Sequence, residues 1–128
     1  LTLVTQALVL LAHGSRDARW REPSEAVAAR VAALRPQVTV RCAYLEACEP
    51  SLPAAVDQIV SLGISAICVQ PLFLGMGRHA REDIPRLVEA LIMRHPGRRI
   101  WLARPASEDP ALADCLARIA LGSLGNPT

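Results

Sequence analysis

Residues 7–16 read ALVLLAHGSR, an unbroken apolar run of six residues followed at once by a histidine and a glycine. A short apolar run bounded by a glycine-containing loop is typical of a strand that is covered on both faces of a parallel sheet. Three further apolar or β-branched runs occur at residues 38–44, 66–74 and 100–103. The sequence therefore predicts four short strands.

Stretches with helical spacing of apolar residues follow each of the four runs. The fourth of them carries Leu112, Leu116 and Ile119 on one face. Proline, glycine or a small polar residue predicts where the helices begin and end: Pro36 after the first, Ser51 before and Gly63 after the second, Asp83 before the third, and Asp109 with Pro110 before the fourth.

The strand–helix order repeats four times, which predicts right-handed crossovers and a parallel sheet with helices on both faces. We expect a single doubly wound α/β domain over residues 1–128, with a frayed tail at 122–128. The second strand carries polar Thr39 and Arg41, so it belongs at an edge, whereas the first and third strands belong in the centre. The predicted strand order is 2-1-3-4.

The composition argues against two classes of protein. The chain has 128 residues, 52% hydrophobic and 20% charged, with a net charge of +2, which fits one globular domain. The apolar run at 7–12 is far shorter than the ~20 residues that cross a bilayer, so no membrane segment is expected. Two tryptophans, one tyrosine and one phenylalanine are too few for base stacking, which argues against nucleic acid as a partner.

The four cysteines, Cys42, Cys48, Cys68 and Cys115, show no Cys-x-x-Cys spacing. All but Cys48 lie in apolar periodic segments, where we expect small buried hydrophobic residues. This pattern favours neither a disulfide framework nor a zinc site, and it predicts a protein of the reducing cytoplasm.

A site is predicted at the carboxyl ends of the central strands, because ligands of open parallel sheets bind there. His13 directly follows the first strand, Glu46 follows the second, and His79 lies in a loop after the third. Two imidazoles can bind cobalt(II), iron(II), nickel(II) or zinc(II) and leave coordination positions open. We therefore predict an open metal site at His13 and His79, with Glu46 close by as a proton acceptor or a ligand.

Arginine supplies all fourteen positive side chains of the chain. Its guanidinium group binds carboxylates through two parallel hydrogen bonds. Five arginines lie in the loops after the first and third strands: Arg16, Arg19, Arg21, Arg78 and Arg81. A ligand with several carboxylates is predicted.

Three other polar residues receive structural interpretations. His95 precedes Pro96 near a helix end, where it would interact with the helix dipole, and Glu49 is expected in the first turn of the second helix. Ser15 beside His13 resembles a hydrolase pair, but adjacent residues on a tight loop rarely align a nucleophile with its base.

Three segments resemble the short form of the class II tetrapyrrole chelatases, the CbiX-type sirohydrochlorin chelatases. They are LLAHGSRD at 10–17, AYLEACEPSL at 43–52 and PLFLGMGRHAREDIP at 71–85. The resemblance implies that His13 and His79 bind the metal and that Glu46 assists. It also implies insertion of cobalt(II), iron(II) or nickel(II), without ATP, into sirohydrochlorin or a related tetrapyrrole of cobalamin or siroheme synthesis. The metal is then a substrate, and no permanently bound cofactor is expected.

In the implied mechanism, His13 and His79 hold the metal and hand it over while Glu46 removes pyrrole protons. A flat macrocycle is best enclosed from two sides, so we expect a homodimer. The alternative is a non-catalytic metal carrier, which would need both histidines but not Glu46. The carboxylates of the ring are expected to bind guanidinium and loop N–H groups of Gly14, Ser15, Arg16, Gly77 and Arg78.

Overall fold

The computed structural model describes residues 5–125. Within this range four strands and four α-helices alternate, and all strand pairs are parallel in the order β2-β1-β3-β4, as predicted. Their bounds are β1 (Gln6–Ala12), α1 (Glu22–Leu34), β2 (Thr39–Tyr44), α2 (Leu52–Ser61), β3 (Ala66–Pro71), α3 (Arg78–Arg94), β4 (Arg99–Leu102) and α4 (Pro110–Gly122).

Two expectations concern the tail of the chain and the presence of a membrane segment. Of the predicted frayed tail at 122–128, Gly122 is the last residue of α4, and residues 126–128 lie outside the described residues. None of the helices within 5–125 has the length and apolar character required to cross a membrane.

One face of the sheet packs against α2 and α3. Side chains alternate across a strand, so Ala7, Val9 and Leu11 of β1 point to this face and are buried there. They belong to one cluster with the apolar side chains of both helices, among them Val56, Ile59, Ile84, Val88 and Leu91. Burial of each such side chain contributes about 1.5–3 kcal/mol, and the cluster fixes the strand ends that carry the site.

Helix α3 begins earlier than predicted. Its N-cap is Gly77, so Asp83 and Pro85 lie inside the helix. Pro85 removes one backbone hydrogen bond, at a cost of about 3 kcal/mol, but the burial of three apolar side chains on the helix outweighs it. These side chains are Ile84, Val88 and Leu91. The consequence is that His79 lies in the first turn of α3 and not in a loop.

Asp57 of α2 connects this helix to the end of α3. Its carboxylate accepts a hydrogen bond from the Arg94 guanidinium at 2.7 Å and lies 2.8 Å from Nε2 of His95. His95 is the C-cap residue of α3, which agrees with its predicted place at a helix end. The carboxylate partner on a different helix was not predicted, because sequence spacing does not reveal contacts between elements.

The opposite face of the sheet is covered by α1 over β1 and β2. Buried Ser24 of α1 lies 3.3 Å from the Tyr44 hydroxyl, and the Cys42 thiol donates to the Ser24 carbonyl. Beyond α1, the side chains of β3 and β4 on this face, Cys68, Gln70 and Trp101, are only half-buried. One half of this face therefore has incomplete cover.

Helix α4 does not supply the missing cover. Asp109 caps it as predicted, accepting from the Ala111 N–H at 2.9 Å, but none of its residues is buried. Leu116 and Ile119 are 42% and 62% exposed. Cys115 is exposed as well, so the prediction that it is buried was wrong, because its helix does not pack on the sheet.

The single tyrosine of the chain allows a direct test of the packing under α1. Burial raises the pKa of Tyr44, and the hydrogen bond with Ser24 lowers it by less. Alkaline titration at 295 nm should therefore give a midpoint above the ordinary value of about 10, and Ser24→Ala should raise it further. A raised pKa adds stability below the unfolded-state value, which is lost as the pH rises through the folded-state value. A midpoint at or below 10 would contradict this packing.

Candidate metal site at the carboxyl edge of the sheet

The structure brings His13 and Glu46 together at the carboxyl edge of the sheet. His13 follows β1, and Glu46 follows the neighbouring strand β2. Nε2 of His13 lies 2.9 Å from Oε1 of Glu46, and the two side chains are 63% and 65% exposed. The pair is therefore open to solvent and accessible to a ligand.

The backbones of the two loops touch directly beneath this pair. The His13 carbonyl accepts hydrogen bonds from the N–H groups of Leu45 and Glu46, each at 3.1 Å. Gly14 has φ +99°, and a Cβ placed on it would lie 1.9 Å from the Glu46 carbonyl oxygen. Only glycine combines this backbone conformation with such a close approach. Gly14 therefore fixes the distance between the loop of His13 and the loop of Glu46.

A third contact to His13 comes from Phe73, which was not predicted. The two rings meet edge to face, with centroids 6.3 Å apart and 79° between their planes. Phe73 also packs against the buried cluster of the core. The sequence placed Phe73 inside the third strand, but β3 ends at Pro71 and the following residues form the edge of the site.

His79 is exposed in the first turn of α3. Among the described residues, no three histidine, cysteine, aspartate or glutamate side chains come close enough to hold a metal ion. The structure thus brings together His13 and Glu46 of the predicted set, and it does not add His79 to them as a ready-made third ligand.

The other predicted site residues have local structural contacts. The Ser15 hydroxyl accepts from the Asp17 N–H at 3.1 Å. The Arg78 guanidinium pairs with Glu82 one turn along α3, at 3.3 Å, and Arg16 is exposed. The expectation for Glu49 was wrong, because α2 begins only at Leu52 and its first turn holds no acidic side chain.

An apolar cavity of about 410 Å³ opens beside His13. Trp20 and Leu74 stand at its edge, each 71% exposed. It extends from the loop after β1 to the start of α4, and its lining includes His13, Gly14, Val27, Phe73 and Leu112. An exposed apolar surface of this kind next to a polar pair is typical of a ligand or partner site.

The fold and the site define a doubly wound parallel α/β protein with an open histidine–carboxylate pair at the strand ends. The sequence model of the CbiX family matches residues 7–120 of the chain. The protein belongs to the CbiX family, which confirms the resemblance carried by its three segments.

Relatives with known names support this assignment. The chain is 37% identical over 82 residues to the sirohydrochlorin cobaltochelatase of Methanopyrus kandleri; the match covers 64% of this chain but 57% of that relative, less than two thirds of its length. The crystal structure of a cobalamin (vitamin B12) biosynthesis CbiX protein from Marinobacter aquaeolei VT8 is 37% identical and superposes with a TM-score of 0.81, over 93% of this chain and 97% of that one.

A longer protein contains a similar domain. SirB from Bacillus subtilis, solved with Fe3+, is 26% identical and superposes with a TM-score of 0.79. The superposition covers 96% of this chain and 48% of SirB. This chain is therefore similar to one half of SirB.

Proposed function

We propose that this protein inserts a divalent metal into sirohydrochlorin or a related tetrapyrrole, without ATP, in the cytoplasmic synthesis of cobalamin or siroheme. Cobalt(II) is the first candidate metal, and iron(II) and nickel(II) follow. The observation that carries the proposal is the contact of 2.9 Å between His13 and Glu46 in a chain of the CbiX family. The name of the Methanopyrus kandleri relative supports the substrate and the first metal. In this proposal the metal is a substrate, with no resident cofactor.

His13 and His79 are both exposed, which suits residues that bind a metal only until it is transferred to the ring. His13 lies at the end of β1 and His79 at the start of α3, which follows the neighbouring strand β3. A metal bound to two imidazoles keeps exchangeable coordination positions. In the proposed reaction the pyrrole nitrogens of the ring take these positions first and then displace the histidines.

Metallation also releases two N–H protons from the ring, so the site needs proton acceptors within hydrogen-bond distance. The Glu46 carboxylate can accept one of them. Once the metal has moved to the ring, the free imidazole of His13 can take this proton from Glu46 across the contact of 2.9 Å, and the carboxylate can then accept the second. The pair therefore accounts for both protons, a function that a simple metal carrier would not need.

The surroundings of the pair suit a ring with an apolar face and carboxylates at its edge. The apolar cavity beside His13, with Trp20 and Phe73 in its lining, is proposed to receive the face of the ring. Its carboxylates are proposed to bind Arg16, Arg78 and the N–H groups of Gly14, Ser15 and Gly77. The exposed pair of Arg78 with Glu82 is worth at most about 1 kcal/mol, so the guanidinium group can exchange partners.

A homodimer is proposed to enclose the ring. One protomer supplies one wall of the cleft, and this chain superposes on one half of SirB. A second copy of this chain would take the place of the other half.

Anaerobic incubation with sirohydrochlorin and each metal in turn tests the proposal. We expect a protein-dependent change in the absorbance of the ring, fastest with cobalt(II). Stoichiometric metal binding without acceleration for any of the three metals would overturn the proposal and support the carrier instead.

Glu46→Gln distinguishes a role of Glu46 as proton acceptor from a role as metal ligand. The amide keeps the size of the side chain but cannot take a proton, so insertion should fall about 100-fold, the usual effect of a positioned base. The affinity for the metal, measured by calorimetry, should change little. Glu49→Gln in the same loop is the matched control and should retain activity. An equal loss of metal affinity and rate would make Glu46 a ligand.

A further inference from the structure

The loop between β2 and α2 contains a residue in an unfavourable backbone conformation. Among residues 5–125, Ala47 is the one residue other than glycine with a positive φ, which is +66°. This region is disfavoured for every residue that carries a Cβ. Ala47 is also exposed, so burial of its side chain does not account for the conformation. The cause lies in the backbone around it.

The backbone of Glu46, the preceding residue, is held on both sides. Its N–H donates to the His13 carbonyl at 3.1 Å, and its carbonyl accepts from the Cys48 N–H at 2.9 Å. The second hydrogen bond joins residues two apart with Ala47 between them, which is a γ-turn of the rare form with positive φ. This turn fixes the peptide group between Glu46 and Ala47.

The carbonyl of this peptide group lies against the loop of His13. A Cβ on Gly14 would be 1.9 Å from the Glu46 oxygen, so the two loops meet at this atom. The φ of Ala47 sets the orientation of the same peptide group relative to the rest of its loop. Gly14 and Ala47 therefore have positive φ, +99° and +66°, on the two sides of one carbonyl group.

The length of the loop explains why the turn is so tight. The Tyr44 N–H donates to the Pro50 carbonyl at 3.0 Å, and α2 begins directly afterwards, with Ser51 as its N-cap. The chain thus has only residues 45–49 in which to leave the end of β2 and return to it. The γ-turn at Ala47 provides the reversal that this short path requires.

We propose that Ala47 is a positioning residue whose turn holds the backbone of Glu46 so that its carboxylate meets His13. The Glu46 side chain is 65% exposed and still lies 2.9 Å from Nε2 of His13. Packing contributes little to its position, so the backbone determines it. Strained residues persist where the surrounding structure holds them, and they cluster at functional sites. The inference rests on the proposed role of Glu46 as proton acceptor.

Ala47→Val tests this role in metal insertion. A β-branched residue is a strong outlier at positive φ, so the turn should open and the peptide group should rotate. Misplacement of a reacting group by about 1 Å costs about 100-fold in rate, and we expect a loss of this size. The metal affinity, measured by calorimetry, should change little, because both histidines are retained. A wild-type rate in this variant would overturn the proposal.

Two further variants separate the backbone conformation from the size of the side chain. Ala47→Gly should insert metal at the wild-type rate, because glycine adopts positive φ without a steric cost. Ala54→Val is the matched control, since Ala54 is exposed in the first turn of α2 and has no positive φ. It should also retain the wild-type rate. If Ala47→Gly were as slow as Ala47→Val, the conformation of residue 47 would not be the cause.

The Glu46→Gln background shows whether Ala47 acts through Glu46. Substitutions of residues that act as a unit are not additive. Ala47→Val should therefore lower the remaining rate of Glu46→Gln by less than about twofold. A further loss as large as in the wild-type background would overturn the proposal, because a valine that merely disturbed the loop would act independently of Glu46.

Amide hydrogen exchange tests the turn without an insertion assay. The Cys48 N–H should be protected in the wild type by its hydrogen bond to the Glu46 carbonyl. Protection should persist in Ala47→Gly and be lost in Ala47→Val. Exchange of the wild-type Cys48 amide at the rate of an unfolded peptide would overturn this inference alone. A wild type that has the protected turn but inserts no metal would instead overturn the proposed function.

Discussion

His13→Ala should reduce metal insertion by at least about 100-fold. Loss of a residue that only supports a metal ligand already lowers affinity or activity by about 10- to 100-fold, and His13 is a proposed ligand itself. The imidazole is exposed and its known contacts are with Glu46 and Phe73, so its removal should leave the core intact. Metal affinity, measured by calorimetry, should fall together with the rate of insertion. His79→Ala should have the same effect, because His79 is the second proposed metal ligand.

The control for this experiment is His95→Gln. His95 lies at the end of α3 against Asp57, and glutamine can still form a hydrogen bond there. This variant removes a histidine without removing a proposed ligand, so insertion should persist. If the His13→Ala variant inserted metal at the wild-type rate and kept the circular dichroism spectrum of the wild type, the metal would bind elsewhere.

Gly14→Ala should have the largest effect on stability, about 3 kcal/mol or more. The new Cβ would lie 1.9 Å from the Glu46 carbonyl oxygen, and φ of +99° is already unfavourable for alanine. The two loops would have to separate, which breaks the hydrogen bonds from Leu45 and Glu46 to the His13 carbonyl. Thermal unfolding should shift down by about 10 °C, and the folded fraction should insert metal slowly.

Gly75→Ala is the matched control. Gly75 lies in the loop after β3, and a Cβ on it would meet no atom within 4 Å. The free energy of unfolding of the Gly75→Ala variant should stay within about 0.5 kcal/mol of wild type. If Gly14→Ala were equally harmless, the close approach of the two loops would not be what positions His13 and Glu46.

The sequence predicted the features that depend on the chain order and on strand composition. The polar alternation at Thr39 and Arg41 placed β2 at an edge, and the rule for parallel sheets placed His13 and Glu46 at the same end of neighbouring strands. The strand order is confirmed. The structure places Nε2 of His13 2.9 Å from Oε1 of Glu46, and the roles of the two side chains at a metal stay predictions.

Features that depend on packing between distant segments were not predictable. The start of α3 was placed too late, because Asp83 is a favourable N-cap residue and the sequence does not show that the helix already begins after Gly77. The contact of Phe73 with His13 was not predicted, because the sequence does not distinguish an apolar residue that follows a strand from a residue of the strand itself. The exposure of α4 was also missed, since an amphipathic pattern indicates that a face is to be buried but not against which molecule.

From the unequal cover of the two sheet faces we expect two units that unfold with different free energies. The face under α2 and α3 holds the buried apolar cluster and should set the free energy of global unfolding. The half of the other face beside α4 contributes few buried contacts, so it can open locally at a much smaller free energy. Slow amide exchange in β1 would then coexist with fast exchange in α4. We therefore expect a wide, rigid ring to enter the site through local opening, while the core that holds His13 stays folded.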